Sequence, residues 1–149
     1  MVRVRTFEFP DELYYLVEHD TWARLDADRR VTVGLTSLGA HISGEFIEFL
    51  PKAMGAAIER DRSLGVLEMS KVIRAVRSPI AGTIVARNER ATQRAKLINE
   101  DPYGEGWLVR LAPRDWDGDA TRLATGTGIA PAVEAYMALL AETFDQPPP

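Results

Sequence analysis

The 149-residue sequence contains no cysteine. That excludes a disulfide framework, a thiolate metal site and a native thiol nucleophile, so any redox chemistry needs a bound or attached group. Histidine is scarce as well: His19 and His41 are too few for a metal cluster. No apolar run reaches the ~18–20 residues of a membrane span. The start, Met1-Val2-Arg3-Val4-Arg5 followed by Thr6-Phe7-Glu8-Phe9-Pro10, lacks the apolar stretch of a secretion signal. The cytoplasm is therefore the expected location, with no membrane partner. Net charge is −4 and the arginines are scattered rather than massed, which argues against nucleic acid as a partner. Lysine is the last scarcity: of the 18 Lys and Arg residues, only Lys52, Lys71 and Lys96 are lysine. An amine can become an acyl acceptor where a guanidinium cannot, so a lysine in an arginine-rich chain suggests amine chemistry.

What is present is ordinary for a globular domain, with 46% hydrophobic and 27% charged residues. Phe7 to Val17 reads as an extended segment broken at Pro10. Trp22 to Leu25 and Arg30 to Leu35 read as strands joined by the polar turn Asp26-Ala27-Asp28-Arg29. Thr36 or Ser37 can cap a short helix that ends at Ser43-Gly44. Phe46 to Leu50 reads as a strand, and Glu45 and Glu48 as paired carboxylates on one exposed strand face. Leu64 to Met69 and Val72 to Arg77 are β-type runs flanking Ser70-Lys71, which makes a tight hairpin with Lys71 on its tip. Thr83 to Arg87 and Trp107 to Leu111 give two more strands, with a polar, mildly helical stretch from Arg90 to Ile98 between them. Gly104 and Gly106 are expected to adopt positive φ in the turn before the last strand. From Ile129, apolar residues at Val133, Tyr136, Leu140 and Phe144 follow helical spacing, and Gln146 to Pro149 reads as a frayed tail. Many short strands and one terminal helix predict a mainly β fold, a small sandwich or barrel with the helix packed on it.

The segment Asp101-Pro102-Tyr103-Gly104-Glu105-Gly106-Trp107 carries a resemblance. With Leu13-Tyr14-Tyr15, Glu18-His19, Val31 to Thr36, Glu68 three before Lys71, Ser78-Pro79, Gly82 and Asn88 in order, it resembles the glycine cleavage system H protein family. The resemblance covers roughly residues 10–111. It implies a barrel-sandwich hybrid of the lipoyl/biotinyl type, a flattened β-barrel with short helices; the C-terminal helix read from the spacing after Ile129 is unlike a standard member of that family. Residues 1–128 would form the lipoyl domain with an N-terminal extension, and 129–149 a helix and tail packed on it. It also implies lipoic acid attached covalently to Lys71 by a lipoate ligase or lipoyl transferase. Glu68 would be a recognition charge for that enzyme, and Gly82 would serve hairpin and recognition geometry. The protein would be a carrier with no catalysis of its own. A biotin carrier fits poorly, because Ala-Met-Lys-Met is absent around the lysine.

Several positions depart from the family pattern. His19-Asp20-Thr21-Trp22 carries an extra residue, Glu68-Met69-Ser70-Lys71 replaces Glu-Ser-Val-Lys, and Val72 to Arg77 replaces an acidic-polar stretch. With Thr36 to Glu45 and Pro51-Lys52, these resemble the H-like lipoate-binding proteins that work with a heterodisulfide-reductase-like complex in sulfur oxidation. The reading leans to sulfur transfer on that ground. The alternative is glycine cleavage, with glycine decarboxylase, aminomethyltransferase and dihydrolipoamide dehydrogenase as partners. A further alternative is an unlipoylated scaffold of the same fold. His41, Val72, Ile73 and Arg74 are the expected partner surface.

Overall fold

Alternating apolar residues dominate the chain, and in a computed structural model describing residues 1–144 they build three antiparallel sheets. The strands are β1 (Val2–Val4), β2 (Phe7–Phe9), β3 (Tyr14–Leu16), β4 (Thr21–Leu25), β5 (Val31–Leu35), β6 (Glu48–Pro51), β7 (Ala57–Ile58), β8 (Ser63–Glu68), β9 (Ile73–Arg77), β10 (Gly82–Arg87) and β11 (Val109–Pro113). The helices are α1 (Ser37–Ser43), α2 (Glu89–Gln93), α3 (Lys96–Glu100), α4 (Trp116–Ala120) and α5 (Ile129–Phe144). The expected tail at 146–149 lies outside the described residues.

One sheet runs β3-β4-β5-β11-β10-β7, a second runs β6-β8-β9, and β1-β2 is a separate hairpin. The two larger sheets close on a common core that includes Val33, Leu35, Phe49, Leu67, Val76 and Leu111. Among the described residues no ladder joins these sheets, so the expected flattened barrel is an open sandwich. The mainly β reading holds, and so does α1: the Thr36 side chain accepts a hydrogen bond from the Gly39 N–H, and Gly44 ends the helix at φ 82°.

The sequence does not reveal β1 and β2 as a hairpin. Its turn depends on Arg5 in the left-handed region at φ 55°, a conformation a non-glycine residue seldom advertises. That hairpin matters for α5. The helix buries Ile129, Val133 and Met137 in a second core with Val4, Phe9, Tyr15, Val17 and Trp22, on the outer side of the six-stranded sheet. Strand β4 is thus covered on both faces, with Ala23 in the first core and Trp22 in the second. The indole N–H of Trp22 is shared between the carbonyls of Leu35 (3.0 Å) and Pro102 (3.1 Å), so the ring is buried without losing its hydrogen bond.

The segment 101–107 is the clasp between these parts. Tyr103 donates its hydroxyl proton to the Glu8 carbonyl (2.8 Å) and accepts from the Ser37 N–H (3.2 Å). Asn88 donates to the carbonyls of Glu105 and Trp107 at 2.8 and 2.7 Å. Gly104 and Gly106 do not have the positive φ expected of them. They are needed for close approach: a Cβ on Gly104 would lie 2.5 Å from the Asp101 carboxylate, and one on Gly106 would lie 2.6 Å from the Leu97 carbonyl.

Candidate functional site

Lys71 sits where the β8 and β9 runs reverse. Strand β8 pairs with β9 through Leu67↔Arg74 and Glu68↔Ile73, and the Met69 N–H donates to the Val72 carbonyl at 2.8 Å. Ser70 and Lys71 remain as a two-residue tip, and neither is among the positive-φ residues. Lys71 is exposed and makes no ion pair among the described residues, whereas Lys96 is held 3.7 Å from Glu45. The amine is thus free and raised above the sheet.

The tip overhangs a shallow, solvent-open hollow of about 500 Å³ walled by Ile47, Glu68, Met69, Val72 and Ile73. Val72 is 57% exposed, Ile73 66% and Ile47 59%. Large β-branched side chains gathered in water at one hairpin have no stability rationale, and such patches mark contact surfaces. Glu68 faces Glu48 directly across the β6–β8 ladder, and neither carboxylate has a cation partner among the described residues. Like charges placed opposite each other destabilise a sheet, so this pair also has no structural rationale. Glu45, by contrast, lies outside β6 and bonds with Lys96, so it is not Glu48's companion on a strand face.

Three expected site residues lie elsewhere. Arg74 does not rim the hairpin. Strand alternation puts it on the inner side with buried Val76, and its guanidinium reaches Asp20 Oδ2 at 3.1 Å and Ser43 Oγ at 2.9 Å. Gly82 is not in this hairpin at all. It opens β10, paired with Pro113 and Ile58, and its Cβ would lie 2.5 Å from the Ala112 carbonyl, so glycine is required for strand packing there. His41 is exposed on α1, edge-on to Phe7 with 5.2 Å between ring centres, and borders a different hollow with Ser37, Asn99 and Tyr103.

Sequence reasoning gave Asp20, Tyr136, Glu48 and Ile47 no place around the hairpin. Asp20 is 3% exposed and has φ 66°, ending the 3-10 turn Val17–His19. Burial pushes its carboxyl above the usual aspartate range, with the Arg74 charge opposing. Burial, and then the Asp20 charge, push the Tyr136 phenol upward. The extra residue in His19-Asp20-Thr21-Trp22 was the available signal for Asp20, and the hairpin register was the signal for Glu48.

Comparison with known proteins points to one family. Residues 13–136 match the family model described as "Glycine cleavage H-protein". The chain is 35% identical over 128 residues to "Glycine cleavage system H protein 2" of Aquifex aeolicus, covering 86% of this chain and 80% of that protein. It is 42% identical over 106 residues to "Glycine cleavage system H protein" of Chromobacterium violaceum, covering 70% of this chain and 80% of the relative. A crystal structure of a glycine cleavage system H protein from Mycobacterium marinum superposes with a TM-score of 0.72 at 25% identity, over 89% of this chain and 99% of that one.

Proposed function

The chain belongs to the glycine cleavage H-protein family, and from that premise we propose that it carries lipoate on Lys71 and shuttles an aminomethyl group between partner enzymes. H proteins are non-catalytic carriers whose lipoate is joined to a lysine. The observation that carries the assignment to Lys71 is its free, exposed amine on a tight tip above an apolar hollow. Those residues fit the group. The amine is open to an attaching enzyme, and Ile47, Val72 and Ile73 suit its alkyl chain. When bound, lipoate supplies a dithiolane that exchanges electrons and the carried group, the sulfur chemistry this cysteine-free chain lacks. Lys71 holds the arm, the short β-turn limits the positions of its root, and the tether keeps its end at high local concentration for each enzyme that docks. Glu68, with Glu48 across the ladder, offers the attaching enzyme a negative mark beside the lysine.

Partners on this reading are a lipoate ligase or lipoyl transferase, glycine decarboxylase, aminomethyltransferase and dihydrolipoamide dehydrogenase, in the cytoplasm. Among the described residues no helix is long and apolar enough to cross a membrane. Residues 1–128 make the carrier body and α5 its outer layer. Sulfur transfer with a heterodisulfide-reductase-like complex has only the sequence departures behind it, and the relatives are named for glycine cleavage. The test is intact-mass analysis of protein from a lipoylating host, followed by an acceptor assay with glycine decarboxylase. One lipoyl group, lost in Lys71→Arg, and aminomethyl acceptance are expected. An unmodified Lys71 overturns the carrier reading; lipoylated protein that refuses the aminomethyl group but takes up sulfur overturns the pathway.

A further inference from the structure

We infer that Asp20 and Arg74 form a positioning pair that sets the pose of the Lys71 hairpin on the body, with helix α5 covering the pair; the role in loading rests on the Lys71 reading above. Strand β9 is the edge of the three-stranded sheet, so among the described residues no ladder holds its outer side. Two ties across to the body replace one. At its far end, the Thr21 hydroxyl donates to the Arg77 carbonyl at 3.1 Å. Three residues from Lys71, Arg74 reaches Asp20 and Ser43 at 3.1 and 2.9 Å. This second tie is the one near the tip, and it joins the hairpin to the 3-10 turn and to α1.

Asp20 is built to be immobile. Its N–H donates to the Val17 carbonyl (3.1 Å), its own carbonyl accepts from the Thr36 N–H (2.8 Å), and a Cβ on Gly39 would strike its side chain. The position is also costly. The backbone is left-handed, and Oδ1 is buried with no hydrogen-bond partner among the described residues. Asparagine would tolerate the same φ without a buried charge, so the carboxylate is explained by the guanidinium it faces. Helix α5 packs against the 3-10 turn that Asp20 ends, and the Asp20 charge reaches the Tyr136 phenol on that helix, so the C-terminal helix lies over the pair. A hairpin with one pose gives an attaching enzyme a fixed lysine to meet; a swinging hairpin makes it search.

The test compares full-length wild type with Arg74→Met, Asp20→Asn and Tyr136→Phe by amide hydrogen exchange and by kcat and KM for enzymatic lipoylation. Exchange at the Met69 amide, which closes the hairpin, and in β9 should quicken about tenfold in the first two variants and less in Tyr136→Phe, with β4 and β5 amides unchanged. Lipoylation should lose about tenfold in kcat/KM, mainly through KM, while a small amine-acylating reagent labels Lys71 at the wild-type rate. Asp20→Asn is nearly isosteric and carries the test if Arg74→Met fails to fold. Unchanged hairpin exchange in Asp20→Asn, or a rise spread evenly over all strands, overturns the positioning pair. Wild type that is never lipoylated removes the Lys71 reading instead, and the exchange measurement still decides the pair.

Discussion

The turn between β4 and β5 is clasped from every side, while the turn between β8 and β9 is held by one backbone hydrogen bond. In the first, Asp26 accepts from Thr32 Oγ1 (2.5 Å), Arg24 Nε (2.8 Å) and Arg110 Nη2 (3.1 Å). Asp28 accepts from the Arg30 N–H and from Arg110, and Arg29 takes the left-handed conformation that closes the loop at φ 68°. In the second, the Met69 N–H meets the Val72 carbonyl, and no side chain from the body touches Lys71 by hydrogen bond or ion pair among the described residues. Both are short β-hairpins of one sandwich, so topology does not explain the contrast. A turn that only reverses the chain gains from every contact it makes. On the proposed reading of Lys71 as the attachment site, a turn that offers a free amine to other proteins loses function with each contact, and the nearest ion pair lies below the tip, between Arg74 and Asp20.

The largest break in this contrast comes from Asp26→Ala. It strands the buried Thr32 hydroxyl and removes the common acceptor of two guanidinium groups, so a loss of about 2 kcal/mol is expected, a fall of several degrees in Tm. Denaturant unfolding with an unchanged m-value would measure it. A loss within about 0.5 kcal/mol would show that the clasp is ornamental.

Acid should separate the two regions next. Burial raises Asp26, but its bonds from Thr32, Arg24 and Arg110 outweigh that and hold it below the ordinary aspartate value of 3.8. The hydrogen bond from Arg110 lowers Asp28 likewise. Stability from these depressed carboxyls is full above the unfolded-state pKa and disappears as pH falls through the folded one. Asp20, beneath the second hairpin, is raised by burial and has the opposite sign: its contribution favours folding in acid and is lost as pH rises through its folded pKa. Carboxyl NMR titration should therefore find Asp26 and Asp28 below 3.8 and Asp20 above it. The reverse order would break the comparison.

A smaller gain is expected from Arg29→Gly, because glycine adopts positive φ without the steric cost that Arg29 bears at 68°. Relief of that cost exceeds the added unfolded-state entropy by about 0.5–1 kcal/mol, readable as a rise in Tm. A fall in Tm would mean that the Arg29 side chain itself holds the turn.

Both hairpins were legible in the sequence because each is local: two β-type runs with a polar pair or quartet between them fix where the chain reverses. The cap at Thr36 and the helical spacing from Ile129 were legible for the same reason. What the helix covers was not, since the second core assembles Val4, Tyr15, Trp22 and Val133 from distant segments. At the proposed site, the place of Lys71 on a hairpin tip was legible from the two flanking β-type runs, Glu68 came from the family resemblance, and Val72 and Ile73 are exposed beside them. Arg74 was misplaced by reading it as surface charge. Counting by twos from Val76 puts it on the inner face, but only the fold supplies the carboxylate that makes an inward arginine tolerable. Gly82 was misplaced for the complementary reason, because its closeness to Lys71 in sequence does not survive the crossing from one sheet to the other.

The smallest expected effect is at the tip itself. Lys71→Arg keeps the charge and removes the amine that can be acylated; the side chain lies in water with no ion pair among the described residues. The backbone needs nothing special of it, as position 71 has no positive φ. Unfolding free energy should therefore shift by less than about 0.5 kcal/mol, the range of surface substitutions that touch no cap, core or network. Lipoylation, read on the same samples by intact mass, should vanish. A variant that lost both together would place Lys71 among the contacts that hold the fold, and the two turns would then differ in degree and no longer in kind.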